Sequence, residues 1–182
     1  DVQHVLERGA AFLELDKVYE TVLEEVRSLM AVTGTTIWLT DLSTGELICQ
    51  KATGSPGASI QGLRLPEGQG IAGWVASNNK SLVVSDTIND SRHFKGVDLM
   101  TGTSIRSILG VPIRLKKEAI GVLQVVDINP GRFDPNHVSL LEALAGSTAI
   151  SIENARLYQQ AQKEMDSRKR AEELLQQNII VE

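Results

Sequence analysis

Several common features are scarce or missing in this 182-residue sequence, and each absence excludes a class of protein. The only cysteine, Cys49, rules out an internal disulfide, so we expect a reducing, cytoplasmic environment. No apolar run approaches the roughly 20 residues that a membrane-spanning helix needs, and no signal peptide is recognisable. The net charge is −5, so there is no excess of positive charge to predict nucleic-acid binding.

Catalytic side-chain arrangements are missing as well. The histidines His4, His93 and His137 are scattered without the spacing of metal ligands, and Cys49 has no histidine near it in the sequence. We therefore expect that this segment is not an enzyme and holds no metal.

The composition nevertheless supports a folded protein. Hydrophobic residues make up 42% of the chain and charged residues 23%, which is enough to bury a core. The length predicts one domain plus an appendage. Because the chain begins at Asp1 and not at methionine, we expect it to be a piece of a longer protein.

Hydrophobic periodicity predicts a helix over residues 15–30, with Gly9 as a weak point in the helix-compatible stretch before it. The segments TGTTIWLTD and ELICQKATG form one predicted hairpin, and IRSILGVPIRL and AIGVLQVVDI form a second. Asp134 and Pro135 have the character of a cap and first turn, so a long final helix begins there. Strands joined by hairpins between terminal helices predict an α+β fold with a mainly antiparallel sheet.

The stretch EGQGIAGWVA contains the spacing G-x-G-x-x-G at Gly68, Gly70 and Gly73, which occurs in dinucleotide-binding folds. Such a site needs the glycine turn to lie between a buried parallel strand and a full crossover helix. Here Pro66 lies just before the turn, and the following helix is too short to cross a sheet. The acid at the expected distance, Asp86, is therefore a coincidence of spacing, and a dinucleotide site is excluded.

Four stretches together resemble the GAF domain, a small-molecule sensor module: LRLPEGQGIAGWVASNNKSLVVSD, NDSRHFKGVDLMTGTSIRSILGVPI, EAIGVLQVVD and FDPNHVSLLEALAGSTAISIENARLY. The resemblance runs from about Leu15 to Tyr158. It implies a PAS-like antiparallel sheet with the terminal helices on one face and a pocket under the mid-chain loops on the other. The expected division is a helical lead-in (1–14), the GAF domain (15–158) and a C-terminal helical linker (159–182).

The final helix becomes polar after Arg156, and burial on a globular core cannot stabilise a helix of that composition. The usual solution is a partner helix, so we expect a homodimer through the terminal helices. Arg168 and Glu172 interrupt the apolar repeat, so a coiled coil and a frayed tail both remain open. The apolar residues near heptad spacing are Tyr158, Ala161, Met165, Leu175 and Ile179.

Family members bind different ligands, and the sequence discriminates among them. Phytochrome-type members attach a bilin through a pocket-loop cysteine commonly followed by histidine, whereas Cys49 is followed by Gln50. For haem, His93 is the one residue that supports binding. No cofactor is therefore expected with certainty.

A cyclic nucleotide is a further candidate ligand, because the stretch NDSRHFKGVDLMTG resembles the phosphodiesterase and cyclase branch of the family. That branch also carries Asn-Lys and then Phe-x-x-x-Asp-Glu after the last strand. Of that signature only the phenylalanine remains, which weakens the resemblance to this branch. The corresponding residues here are Asp127, Ile128, Phe133, His137 and Val138.

Strand alternation and family position predict the pocket residues. Alternation places Thr36, Trp38 and Thr40 on one strand face as a half-polar floor, with a loop-covered sheet face as the alternative reading. Asp86 could accept from a ligand N–H or act as a cap, and Arg106 could bind an acidic ligand group or pair with Asp98. The remaining candidates come from the short helix, the strand end and the loop: Ile71, Thr87, His93, Phe94 and Val97.

These observations predict a small-molecule-sensing regulatory domain of a cytoplasmic signalling protein. Its ligand or packing state would pass through paired C-terminal helices to an output domain such as a histidine kinase, as in two-component systems, or a cyclase. The alternative is a ligand-free dimerisation module with a collapsed pocket. No nucleic acid or membrane contact is expected in this segment.

Overall fold

The computed structural model describes residues 2–54 and 57–179. Two short 3-10 helices, Gly57–Ile60 and Thr87–Asn89, lie in loops. The other helices and strands are α1 (Val2–Met30), β1 (Gly34–Thr40), β2 (Leu47–Gly54), β3 (Arg64–Leu65), α2 (Gly70–Asn78), β4 (Leu82–Val84), α3 (Gly96–Thr101), β5 (Ser107–Leu115), β6 (Glu118–Asp127) and α4 (Pro135–Ile179).

The six strands form one sheet in the order β3-β2-β1-β6-β5-β4, and every neighbouring pair is antiparallel. The predicted α+β fold and both predicted hairpins are therefore confirmed. Between β5 and β6, Lys116 and Lys117 have φ angles of 50° and 69°, the left-handed conformations that a tight two-residue hairpin turn uses. The short strands β3 and β4 lie at the sheet edges.

Strand alternation divides the core into two apolar layers on opposite faces of the sheet. On one face, Leu23 of α1 and Leu141 of α4 pack with Ile37 of β1. On the other face, the neighbouring residue Trp38 packs with Val75 of α2. Successive side chains of a strand point to opposite faces, so β1 contributes to both layers. The terminal helices thus cover one face and leave the other to α2 and the loops.

The helix α1 contains Gly9, where the sequence indicated a weak point. The helix is continuous from Val2 to Met30, so the chain does not leave the helix at this glycine. A glycine costs a helix interior only about 1 kcal/mol relative to alanine, which a helix of 29 residues can absorb.

The helix α4 begins at Pro135, as predicted, and its cap is the predicted one. The carboxylate of Asp134 accepts a hydrogen bond from the backbone N–H of His137 at 3.0 Å. Residues up to Ile152 pack on the sheet, whereas every described side chain beyond Tyr158 is exposed or half-buried. The last three residues, 180–182, lie outside the described part of the chain.

Candidate ligand-binding site

A cavity lies on the sheet face opposite the terminal helices. Its floor is formed by β1, β5 and β6, one wall is the N-terminus of α2, and its roof is the lid, which we define as residues 90–102. The lining residues are Thr36, Trp38, Ile60, Leu65, Gly70, Ile71, Ala72, His93, Phe94, Val97, Asp98, Ile105, Ile108, Gln124 and Val126. The predicted residues that line it are Thr36, Trp38, Ile71, His93, Phe94 and Val97.

The cavity is narrow in this conformation. Its void is about 490 Å³ when the open mouth is included, but the centres of water molecules can occupy only about 40 Å³ of it. The smaller volume describes what fits now, because it leaves out the space that is open to solvent. A larger ligand therefore requires the lid to move.

The β1 part of the cavity floor presents an aromatic side chain, and the polar atoms of its two lining residues are hydrogen-bonded to each other. The indole N–H of Trp38 donates to the hydroxyl of Thr36 at 2.9 Å, and both side chains are buried. The sequence prediction that the two residues share one strand face is confirmed by this contact. With its N–H satisfied, the indole presents an apolar ring that suits a planar ligand.

The glycine-rich turn positions the wall of the cavity. Gly68 and Gly70 have φ angles of 77° and 74°, which glycine adopts without strain, so the chain turns sharply into α2 as predicted. The third glycine, Gly73, lies where α2 contacts this turn. A Cβ at Gly73 would lie 2.7 Å from the backbone carbon of Gly68, so this glycine lets α2 pack on the turn itself.

The N-terminus of α2 faces the cavity without a side-chain cap. Gln69 occupies the capping position and its side chain makes no capping hydrogen bond. Gly70, Ile71 and Ala72 form the first turn, whose N–H groups have no acceptor within the helix, and all of them line the cavity. Free N–H groups and the positive end of the helix dipole favour a negatively charged ligand group here.

The lid is held by polar contacts at its start and across its middle. Arg92 donates to both carboxylate oxygens of Asp90, at 2.9 and 2.6 Å, while its guanidinium lies 5.2 Å from the ring centre of Trp74 on α2. Further along, Nε2 of His93 lies 3.0 Å from Oδ2 of Asp98. The His93 side chain is only 7% exposed, so it belongs to the interior of the lid and not to the protein surface.

Two acceptor atoms in the cavity are unsatisfied. Among the described residues, Oδ1 of Asp98 and Oε1 of Gln124 are buried without a hydrogen-bond partner. We call these atoms the acceptor pair. A buried polar atom left without a partner costs roughly 1–3 kcal/mol, so the pair points to a ligand that supplies donors. Neither residue was predicted as a ligand contact from the sequence, although Gln124 is visible there as a polar residue inside an apolar strand.

Four predicted pocket residues lie outside the cavity lining. Arg106 donates to both oxygens of Asp86, at 3.0 and 2.7 Å, so the partner proposed for it, Asp98, is wrong. This hydrogen-bonded pair lowers the pKa of Asp86 and raises that of Arg106. The hydroxyl of Thr87 donates to the carbonyl of Ile105 at 2.6 Å.

The positions of Asp86 and Thr40 outside the cavity follow from local geometry. Asp86 also caps the 3-10 helix by accepting from the N–H of Ile88 at 3.2 Å, which matches the alternative reading as a cap. Thr40 ends β1, beyond the stretch of the strand that lies under the lid. Its side chain shares the face of Trp38 but is too far along the strand to reach the void.

The charges around the cavity limit its chemistry. Of the residues that the structure describes, no lysine or arginine lines it. Within residues 2–54 and 57–179, no group of three or more histidine, cysteine, aspartate or glutamate side chains could hold a metal ion. Burial raises the pKa of Cys49 to about 12, so its thiol stays protonated and unreactive at neutral pH.

Comparison with known families agrees with this architecture. A family model described as "GAF domain" matches residues 14–152, which is most of the chain. The chain belongs to the GAF family. GAF domains are regulatory modules that sense small molecules. None of the described helices is long and apolar enough to cross a bilayer.

Curated relatives of this GAF domain include cyclic phosphodiesterases. The chain is 32% identical over 96 residues to a probable 3′,5′-cyclic phosphodiesterase of Caenorhabditis elegans. The aligned stretch covers 53% of this chain and 13% of that protein. The chain is 31% identical over 110 residues to the cGMP-specific 3′,5′-cyclic phosphodiesterase of Drosophila melanogaster, which covers 59% of this chain and 10% of that protein. The chain thus spans about a tenth of these relatives, and their hydrolytic activity is not carried over to it.

Experimental structures of similar fold include a GAF domain from a phosphoenolpyruvate-protein phosphotransferase of Coxiella burnetii. The two structures superpose with a TM-score of 0.71 at 20% sequence identity. The alignment covers 79% of this chain and 85% of the Coxiella burnetii chain. Free methionine-R-sulfoxide reductase of Neisseria meningitidis, in complex with its substrate, has a TM-score of 0.68 and 21% identity, with coverages of 80% and 81%. At such identities the likeness concerns the fold alone.

Proposed function

We propose that this GAF domain is the sensor for a cyclic nucleotide in a signal-transduction protein. The observation that carries the proposal is the acceptor pair, with Asp98 in the lid and Gln124 in the floor of the cavity that Trp38 also lines. A purine has a planar ring that stacks on indole and N–H groups that satisfy buried acceptors. Guanine presents adjacent ring and exocyclic N–H donors, so we expect guanine to be preferred over adenine.

The charge of the cavity supports a ligand with one negative charge. A cyclic phosphate carries a single charge, which the uncapped N-terminus of α2 at Gly70–Ala72 can accommodate. A nucleoside triphosphate carries several charges and would need the cations that the described lining does not supply. The similarity to a cGMP-specific phosphodiesterase of Drosophila melanogaster supports the same ligand class.

The region after β6 supports the proposal despite the lost phosphodiesterase signature. Asp127 is buried and lies 3.5 Å from the guanidinium of Arg132, which also donates to the carbonyls of Met30 and Ala31 at 2.8 and 3.1 Å. These contacts join the end of β6 to the end of α1. This connection is made without the Asn-Lys and Asp-Glu residues of the phosphodiesterase branch.

Ligand entry requires the lid to open, since the present void is far smaller than a nucleotide. The contact between Arg92 and Trp74 joins the lid to α2, and we expect it to break when the lid opens because the Arg92 side chain is 37% exposed. If only a fraction of molecules is open, the apparent affinity falls by that same fraction. Ligand binding then shifts the population toward the conformation that holds it.

The proposed output is a pair of α4 helices in a homodimer. Apolar side chains on the outer part of α4 are largely exposed, including Tyr158 at 54% and Met165 at 63%. An isolated polar helix of this length is marginal in water, so a second copy would stabilise it. A change in the lid would reach α4 through the sheet on which its first part packs.

Titration calorimetry of the full chain with cyclic GMP, cyclic AMP and the two 5′-monophosphates tests the ligand proposal. We expect saturable binding of a cyclic nucleotide with cyclic GMP bound most tightly, because it satisfies the acceptor pair and adds one negative charge. An Asp98→Ala variant should bind more weakly. The matched variant Asp41→Ala, in the exposed β1–β2 turn, should bind as the parent does. Absence of binding by the parent at millimolar ligand would overturn the proposal.

Truncation after Tyr158 tests the output proposal. We expect the parent chain to sediment as a dimer and the truncated chain to shift toward monomer, since the removed helix carries the exposed apolar residues. Sedimentation velocity over a concentration series measures this shift. Thermal unfolding of the truncated chain is the control, because the removed side chains lie outside both core layers. Equal dimerisation of the two chains would contradict the proposal.

A second candidate function is a ligand-free interaction module, and the small void of about 40 Å³ favours it. In that case the lid would stay closed and dimerisation would be the whole activity. The two candidates differ in one observable. The interaction module predicts a dimer that binds none of the four nucleotides, whereas the sensor predicts a dimer that binds one of them.

A further inference from the structure

The outer half of α4 carries a stripe of residues at alternating spacings of three and four, which we call the heptad stripe. Its apolar members are strongly exposed, including Leu175 at 63% and Ile179 at 76%. The spacing is unbroken over three seven-residue repeats, and the helix is continuous there. The stripe consists of Tyr158, Ala161, Met165, Arg168, Glu172, Leu175 and Ile179.

The two charged members of the stripe have defined positions in the repeat. With Tyr158 and Met165 at position a, Glu172 is also at a and Arg168 is at d. In a parallel, in-register pair of helices, a d side chain inserts among residues of the partner that include the next a residue. Arg168 of each chain would therefore contact Glu172 of the other chain. The two arginines also face each other, and the adjacent glutamates neutralise them.

We propose that Arg168 and Glu172 form a four-charge layer that sets the parallel register of a dimer with a second copy of this chain. The inference rests on the dimer part of the proposed function and specifies its alignment. The two charged residues that interrupt the apolar repeat then have a definite role. Any shift by one heptad would bring Arg168 opposite leucine or alanine and leave charges unpaired in the helix interface, which is costly.

The flanking residues favour the same alignment. Glu164 lies at position g and Lys169 lies at position e, five residues later. In a parallel coiled coil, g of one helix faces that following e of its partner. An in-register pair therefore places Glu164 of each chain beside Lys169 of the other. This charge complementarity identifies a second copy as the occupant of the stripe.

Charge reversal tests the proposal on the full chain. We expect Arg168→Glu and Glu172→Arg each to raise the dimer dissociation constant at least tenfold, because each variant brings four like charges together. Mixing the two variants should restore dimers as heterodimers, since opposite charges then meet in both layers. The double variant Arg168→Glu with Glu172→Arg should also dimerise again. Native mass spectrometry distinguishes these species by mass.

Matched controls separate this layer from general charge effects. Lys163→Glu and Glu173→Arg make the same changes of charge at positions f and b, which face away from the partner, and should change the dissociation constant less than twofold. Arg168 and Glu172 are also four residues apart on one helix. An ion pair within a single chain would be lost in both variants but would not be restored by mixing them.

Cysteine crosslinking checks the register directly. Ala161→Cys lies at position d and should form a disulfide-linked dimer readily, whereas Ser167→Cys, at the outward position c, should not. Cys49 is buried and does not compete. If both charge-reversal variants dimerise as tightly as the parent chain, the charged layer alone is overturned. The same holds if the two variants form no heterodimers when they are mixed. A parent chain that stays monomeric would overturn this inference and the dimer proposal, and would leave the ligand proposal standing.

Discussion

A Gln124→Leu variant is expected to fold more stably than the parent chain and to lose affinity for the ligand. Gln124 is 9% exposed and contributes one atom of the acceptor pair. Leucine is of similar size and brings no unsatisfied atom, so the variant should gain about 1 kcal/mol in the free energy of unfolding. The bound ligand would lose a hydrogen bond, and we expect its dissociation constant to rise about tenfold to a hundredfold.

Urea unfolding and ligand titration on the same samples measure both effects of the Gln124 substitution. Thr35→Val is the matched control on the opposite sheet face, where the buried hydroxyl is hydrogen-bonded to Thr53 and the carbonyl of Leu23. Because its partners lose a bond, this control should be less stable by about 1 kcal/mol and should bind ligand normally. A Gln124→Leu variant that is destabilised and still binds ligand would contradict the assignment of Gln124 to the ligand.

The second large effect is expected at Gly121, in the middle of β6 opposite Leu39 of β1. A Cβ at this position would lie 2.2 Å from the carbonyl oxygen of Trp38 and 2.7 Å from a methyl of Leu39. Backbone cannot yield as a flexible side chain can, so β1 and β6 would be forced apart. We expect Gly121→Ala to lower the free energy of unfolding by about 3 kcal/mol.

Urea unfolding of the Gly121→Ala variant measures that loss, and Gly146→Ala in α4 is its control. Among the described residues, nothing lies within 4 Å of a Cβ built at Gly146. Alanine there should stabilise the chain by up to about 1 kcal/mol, because alanine favours helix. Since Gly121 lies beside the floor residue Trp38, any folded fraction of its variant should also bind ligand more weakly. Parent-like stability of Gly121→Ala would show that the two strands can separate at little cost.

Much of the fold could be predicted from the sequence because local patterns specify it. The alternation in TTIWLTD placed Thr36 and Trp38 on one face, and their hydrogen bond confirms it. The capping role of Asp134 and the start of α4 also depend on neighbours in sequence. These features follow from backbone geometry and from side chains within a few residues of one another.

The candidate site was predictable only in part, since its polar contacts join distant segments. Asp86 and Arg106 were both predicted to meet a ligand, but 20 residues of chain fold back so that they pair with each other. Asp98 was assigned to Arg106 and instead meets His93 in the lid. A sequence shows which side chains are able to form ion pairs, but the partner is chosen by proximity after folding.

The sequence by itself determined the antiparallel sheet between terminal helices and the exclusion of a dinucleotide site, because periodicity and turn chemistry are local, and four of its stretches carry the resemblance to the GAF family. Only the tertiary structure decided which polar atoms remain unsatisfied in the cavity, how narrow the void is, and that Gly73 serves the turn at Gly68. Each of these depends on distances between residues far apart in the chain. Such distances are fixed by packing of the whole core and are not encoded in any single stretch.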